Sequence, residues 1–247
     1  MTAPALVALA CGPVDADSAR TVHEIVSTTR RLRPDLRTEA AFSTGAKPSL
    51  EKAVGALASR GHEEIVVVPL LATSTDQAEL DVLTAVDVAL RSNPGVSVRA
   101  AGMIGADAAL LAVLDERLRA ALRAARVREL DALVLAAAGS SDARVTASIA
   151  RLARLWSGRH HLPTSIAFAD ASPPSTGEAV RDWRRQGKRH VAVGSLFITS
   201  GPHADRAAEL AFEAGACAVS GPLGAHDELS RLIVSRYFVG ALALVPV

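Results

Sequence analysis

The sequence is poor in aromatic residues, in lysine and in cysteine, and each shortage removes a class of function. Aromatics make up only 3% of the 247 residues, too few to build platforms on which bases stack. Positive charge is carried almost wholly by arginine: Lys47, Lys52 and Lys188 are the only lysines, and the formal net charge is +1. Such a chain is not built to neutralise a nucleic-acid backbone, so no nucleic acid is expected as a partner. The two cysteines, Cys11 and Cys217, stand far apart. They form neither a disulfide framework nor a CxxC pair, which points to a reducing, cytoplasmic setting.

Long apolar runs are missing as well. The stretch Ile65–Ala72 falls far short of the roughly 20 residues that a spanning helix needs, so no membrane is expected as a partner. The first residues place no basic stretch ahead of an apolar run and do not read as a signal peptide. The end, Phe238–Val247, is apolar but short. It reads as a last strand or as a contact in a homo-oligomer.

Several catalytic signatures are absent too. No GxGxxG follows the first strand candidate, and no GxxxxGK[ST] phosphate loop is present. There is no GxSxG elbow and no HExxH helix. The histidines show no pair at metal-ligand spacing; His160 and His161 are adjacent, so their side chains diverge. Nucleotide cofactors and the common hydrolase machineries are therefore not expected.

What is present is a 49% hydrophobic composition, ample for a packed core. Short β-branched runs alternate with amphipathic segments. Strands are expected at Leu6–Ala10, Arg37–Phe42, Glu64–Leu71 and Ser97–Ala101, and again at Ala132–Ala137, Thr164–Ala169, His190–Phe197 and Cys217–Ser220. Ile65-Val66-Val67-Val68 reads as a strand buried on both faces. Helix-length stretches lie between, including Ala16–Leu32, Ser49–Ser59, Gln77–Arg91 and Ala108–Ala125. In the last, leucines at 110, 111, 114, 118 and 122 mark one face. The alternation predicts an α/β fold with parallel sheets.

The chain also repeats itself. Leu6–Asp15 answers to Leu133–Asp142, and Thr38–Phe42 with Pro48-Ser49 answers to Thr164–Phe168 with Pro174-Ser175. The offset stays near 126 residues until it shortens toward the end. Two similar lobes are expected, 1–126 and 127–247, each a roughly four-stranded parallel sheet flanked by helices, with a cleft between them. Ligands in such sheets bind beyond the carboxyl ends of the strands.

At the repeated strand-end motif, Gly139-Ser140-Ser141-Asp142, the sequence resembles the CbiX/SirB family of sirohydrochlorin chelatases. Val68-Pro69-Leu70-Leu71 followed by Asp81, the Pro-Ser helix starts and Pro222-Leu223-Gly224-Ala225-His226 carry the resemblance further. It covers both halves. It implies an enzyme that inserts a divalent metal, cobalt or iron, into a tetrapyrrole of siroheme or cobalamin biosynthesis, with no tightly bound cofactor. A catalytically degenerate tetrapyrrole- or metal-binding protein is the alternative, because the departures fall where the chemistry should be. The resemblance implies a histidine after the first strand, where Cys11 stands, and another after the third, where Gln77 stands. Thr44 occupies the acidic position after the second strand. In the second half Ala138 takes the first of these places, but Asp170 and His203 take the other two.

The expected site residues follow from this. His203 and Asp170 are the candidate catalytic pair, since imidazole and carboxylate can hold a metal and accept protons near neutral pH. Cys11 joins them as a candidate metal ligand, for which it would have to be a thiolate. Gly12, Gly139, Ser140 and His226 are candidate tetrapyrrole contacts. Asp15 and Asp142 sit at matching places, where capping of the following helices competes with catalysis. For His203 and His226 the competing role is likewise a helix start.

Overall fold

The computed structural model describes residues 3–73, 75–169 and 172–244. Strands and helices alternate throughout. The first half runs β1 (Ala5–Ala10), α1 (Ala16–Leu32), β2 (Thr38–Phe42), α2 (Leu50–Ala58), β3 (Glu64–Pro69), α3 (Asp76–Ser92), β4 (Ser97–Ala100) and α4 (Leu110–Ala124). The second half runs β5 (Ala132–Ala137), α5 (Ala143–His160), β6 (Thr164–Phe168), α6 (Thr176–Arg185), β7 (Val191–Ser195), α7 (Pro202–Glu213), β8 (Ala218–Val219) and α8 (Asp227–Leu242). The two sheets are parallel and ordered β2-β1-β3-β4 and β6-β5-β7-β8.

The repeat read from the sequence is a repeat of register. Leu6 pairs with Thr38 in one sheet and Leu133 with Thr164 in the other. Ala8 pairs with Val68, and Leu135 with Gly194. β1, β5 and β7 are buried along their whole length, and β3 from Ile65 onward, as strands covered on both faces must be. Helix starts repeat as well. Asp15 caps α1 by accepting from the Ser18 N–H, and Asp142 caps α5 through the Arg144 N–H. Capping is thus the observed work of both aspartates.

Compact packing divides the chain differently from the repeat. One unit holds Met1–Leu71, Asp76–Ile104 and Gly224–Val247; the other holds Ala72–Thr75 and Gly105–Leu223. The last helix of each half therefore completes the sheet of the other half. In the first unit α8 packs on α1 and β3. Gly240 makes this possible: a Cβ there would lie 2.7 Å from Val66 Cγ1. Tyr237 donates its hydroxyl to Pro4 O at 2.7 Å, and Arg236 donates to the carbonyls of Met103 and Ile104. The expectation of a strand at Phe238–Val247 is corrected here, because α8 continues to Leu242. Its buried residues Leu229, Leu232, Ile233, Tyr237 and Gly240 recur at three and four, the spacing of a helix face. Val245–Val247 lie outside the described residues.

In the second unit α4 packs on β7 and β8. Its Asp115 is buried and accepts the Trp156 indole N–H of α5 at 2.8 Å. His160 Nε2 lies 2.6 Å from the same oxygen, and Arg159 Nε lies 2.9 Å from the other. Trp156 is fully buried over β7, where a Cβ on Gly194 would fall 2.3 Å from its ring. A glycine in a central strand is thus the seat of the largest buried side chain in the protein. No helix among the described residues is long and apolar enough to cross a membrane.

Candidate functional site

The polar groups at the carboxyl ends of the first unit's strands are stitched to one another. After β1 the chain turns at Gly12, which has φ 84°, a region open to glycine at no steric cost. Ser43, just after β2, accepts the Gly12 N–H at 3.1 Å, and Thr44 donates its hydroxyl to Gly12 O at 2.8 Å. Gly45 closes the contact. It has φ 80°, and a Cβ there would lie 2.6 Å from Val14 O. Two strand-end loops are thereby held as one surface.

Beside them opens a cleft of about 260 Å³, whose walls include Thr44, Glu51, Gln77, Asp81, Thr84 and Val88. Gln77 lies in the first turn of α3 and donates its amide to Asp81 Oδ1 at 2.7 Å. Burial, with Asp81 as a lesser cause, pushes the Cys11 thiol up to about 12. At neutral pH Cys11 is a protonated thiol, not the thiolate that ligation uses. Thr44 and Gln77 supply neutral oxygen and nitrogen atoms already engaged in hydrogen bonds. Among the described residues no imidazole lines this cleft.

The second unit carries its polar groups differently. Gly139 and Ser140 follow β5, and Ser140 Oγ accepts the Asp142 N–H at 3.2 Å. His203 is the second residue of α7, exposed, just after the Gly201-Pro202 turn that ends the loop from β7. Gln77 is the second residue of α3, so the two residues occupy equivalent places in the repeat. Asp170, the equivalent of Thr44, lies outside the described residues. Gly177 stands where the first unit has Glu51, and a Cβ on it would lie 3.0 Å from Leu210 O. A larger side chain would crowd that carbonyl.

His226 belongs to the first unit and is the N-cap of α8. Its Nδ1 accepts the Glu228 N–H at 3.0 Å, so its ring is tied to a helix start. Gly224, two residues before, has φ 64° and turns the chain into that cap. Cys11 is in the first unit and His203 in the second. Among the described residues no group of three or more His, Cys, Asp or Glu could hold a metal ion. Ser43 stands at a strand end, where the sequence places ligand contacts, whereas nothing in the sequence marks Glu51 in the cleft or Asp115 in the core. The burial of Asp115 depends on which sheet α4 covers.

Comparison with known proteins adds the family context. A model of the CbiX family matches residues 5–121 and 132–238. No curated protein matches the sequence. Among solved structures, SirB from Bacillus subtilis with Fe3+ is 18% identical, with 96% of each chain covered and a TM-score of 0.71. The sirohydrochlorin chelatase SirB from Bacillus subtilis subspecies spizizenii, in complex with cobalt, is 15% identical. There 98% of this chain and 97% of that one are covered, with a TM-score of 0.77. CbiX, the terminal enzyme for biosynthesis of siroheme in denitrifying bacteria, is 18% identical over 98% of this chain and 100% of its own, with a TM-score of 0.66. At these identities the likeness is one of fold.

Proposed function

The chain belongs to the CbiX family, and from that premise we propose that it inserts a divalent metal, cobalt or iron, into a sirohydrochlorin-class tetrapyrrole. The observation that carries this reading is the family match in both halves of the chain. Related folds have been solved with iron or cobalt. In this reaction the metal is a substrate. As it enters the macrocycle, two ring N–H bonds break and two protons must be taken up.

The second unit is the better place for that work. His203 puts an imidazole in the first turn of the helix that follows β7. A neutral imidazole binds borderline metals and accepts a proton near neutral pH. Asp170 enters by its place in the sequence alone, as the carboxylate that complements it. The first unit offers only a protonated Cys11 thiol, the Thr44 hydroxyl and the Gln77 amide at the equivalent places, and none of these takes up a proton at neutral pH.

The test is anaerobic incubation with sirohydrochlorin and Co²⁺ or Fe²⁺, followed by absorbance, on wild type beside His203→Ala. Loss of a positioned acid–base group should slow insertion about a hundredfold or more. A wild-type rate no faster than the protein-free blank with either metal would end the reading. A rate unchanged in His203→Ala would remove His203 from it. Cys11 and Gln77 in place of histidines at the first unit's strand ends favour a second reading, a tetrapyrrole carrier without turnover. That reading requires a spectral shift on mixing with sirohydrochlorin and no metal insertion. Cys11→His combined with Gln77→His should raise the insertion rate if the first unit's strand ends still shape a usable site.

A further inference from the structure

The repeat acts as an internal control for surface charge at the amino ends of the strands, the end opposite the candidate site. In the first unit arginines there are matched by carboxylates. Glu39 takes Arg30 at 2.8 Å, Arg60 at 3.4 Å and Arg37 besides, and Asp35 takes Arg33 at 2.6 Å. The second unit lacks these carboxylates. By strand register Ser165 stands where Glu39 does, and it accepts the Trp183 indole N–H at 2.9 Å. By the same register His161 holds the place of Asp35. Ile65 and Val191 also share one place. Counting back from them, Lys188-Arg189-His190 stand where the first unit has His62-Glu63-Glu64.

The unmatched cations lie together. Arg126 and Arg128 are in the loop ahead of β5, and Lys188 and Arg189 are in the loop ahead of β7. The Asp131 N–H joins the two loops by donating to His190 O at 2.9 Å. Among the described residues none of these four cations makes an ion pair. Asp131 feels the charge of Lys188, but its carboxylate is taken up by the Arg189 and His190 N–H groups, both at 2.8 Å. An apolar group stands beside them. Phe212, in the last turn of α7, is 55% exposed. Its carbonyl accepts the Gly215 N–H, and Gly215 O accepts the Arg184 guanidinium at 3.2 Å, which also reaches Arg189 O at 3.5 Å.

We propose that the amino ends of the second unit's strands form a docking surface for an acidic segment of a partner protein. Its carboxylates meet Arg126, Arg128, Lys188 and Arg189, and an apolar residue rests on Phe212. Guanidinium forks match carboxylates, and arginine beside an exposed aromatic is the composition of a protein-binding patch. A nucleic-acid strand suits the surface less well. Glu129 and Glu213 are exposed in the loops at the same end, where a continuous phosphate chain meets like charge and a protein segment can set its charges between them. His203 follows the other end of β7, so an occupant here leaves that residue open.

Fluorescence anisotropy on the full chain at low salt tests this, with labelled deca-glutamate and the same peptide carrying one central leucine. Both should bind, the leucine peptide more tightly, and added salt should weaken both. Lys188→Glu combined with Arg189→Glu gives this loop the first unit's sign of charge and should weaken binding about tenfold or more. Arg128→Glu, in the other loop, should also weaken it and keeps the test decisive if the double variant does not fold. Arg151→Glu changes an exposed cation of α5 outside these loops and should shift affinity less than about twofold. Binding is read without metal or tetrapyrrole, so its failure leaves the reading of metal insertion standing. Three results would each overturn the proposal: no binding of either peptide, a loss in Arg151→Glu equal to that in the loop variants, or tighter binding of single-stranded RNA or phosphatidylserine vesicles than of the peptides. A leucine preference that survives Phe212→Ser would take the ring out of the surface.

Discussion

The two units share a strand order and a pairing register but differ in where they keep bulk and charge. In the first unit Thr29 of α1 and Val68 of β3 stand where the second unit has Trp156 and Gly194. Volume has moved from strand to helix, and the sheet geometry is unchanged. At the strand ends the exchange is chemical. The first unit has an open cleft whose described lining holds two carboxylates and no imidazole; the second has an exposed His203 and, at the position of Glu51, a glycine crowded by a backbone carbonyl. Strand interiors are fixed by packing on both faces, which punishes any unmatched change in volume. Strand ends carry no such constraint, so duplicated positions can hold unrelated chemistry.

The largest expected effect is in the core. Trp156→Ala should cost about 3–5 kcal/mol in denaturant unfolding, by lost burial and a cavity, and it takes the indole N–H from Asp115, which keeps His160 and Arg159. Gly194→Val alone should also destabilise, because its Cβ meets the indole at 2.3 Å. The pair Trp156→Thr with Gly194→Val installs the first unit's combination, and it should be less harmful than the sum of the singles. Strict additivity would show that the two positions are not a matched set.

Next comes thiol chemistry, which separates the units by reactivity. Cys11, with its thiol pushed up to about 12, should react with iodoacetamide at pH 8 about a thousandfold more slowly than a free thiol. Cys217 is also shifted upward by burial, but less so, and should be labelled first. Peptide mass analysis over time reads both. Labelling of Cys11 at the rate of a free thiol would contradict the buried, protonated state described for the first unit.

The smallest effect concerns the helix starts. Ser175 and Glu178 form a reciprocal capping box on α6, with the Ser175 N–H donating to Glu178 at 2.7 Å. Ser49 caps α2 through a single long bond of 3.4 Å. Ser175→Ala should therefore cost about 1 kcal/mol, and Ser49→Ala less. The hydrogen bonds from Ser175 hold the Glu178 carboxyl below its ordinary range. That contribution is present above the unfolded value, near 4.3, and is lost as pH falls through the folded one. The difference between the two serine variants should thus shrink in acid. A difference that persists below pH 3 would place its origin elsewhere.

Much of the scaffold was legible in the chain. The Ile65–Val68 run, the Asp15 and Asp142 helix starts and the repeated Pro-Ser pairs are local signals, and each has the structural role its chemistry suggests. The equivalence of Gln77 and His203 follows from the same repeat. The cleft was partly legible, because Ser43, Thr44 and Gln77 stand just after strands, whereas Glu51 reaches it by folding.

Local patterning set the elements, their order and their caps, because backbone hydrogen bonds and apolar periodicity act over a few residues. The partner of each terminal helix was decided by the folded whole. Nothing in Leu110–Ala124 or Asp227–Leu242 says which sheet each will cover, since both faces are generic apolar stripes. The choice rests on contacts distant in sequence: Gly240 against Val66, Asp115 under Trp156, Tyr237 to Pro4. The state of Cys11 was decided in the same way. A thiol's proton depends on the burial and charge that surround it in three dimensions, and neighbours in the chain do not supply either.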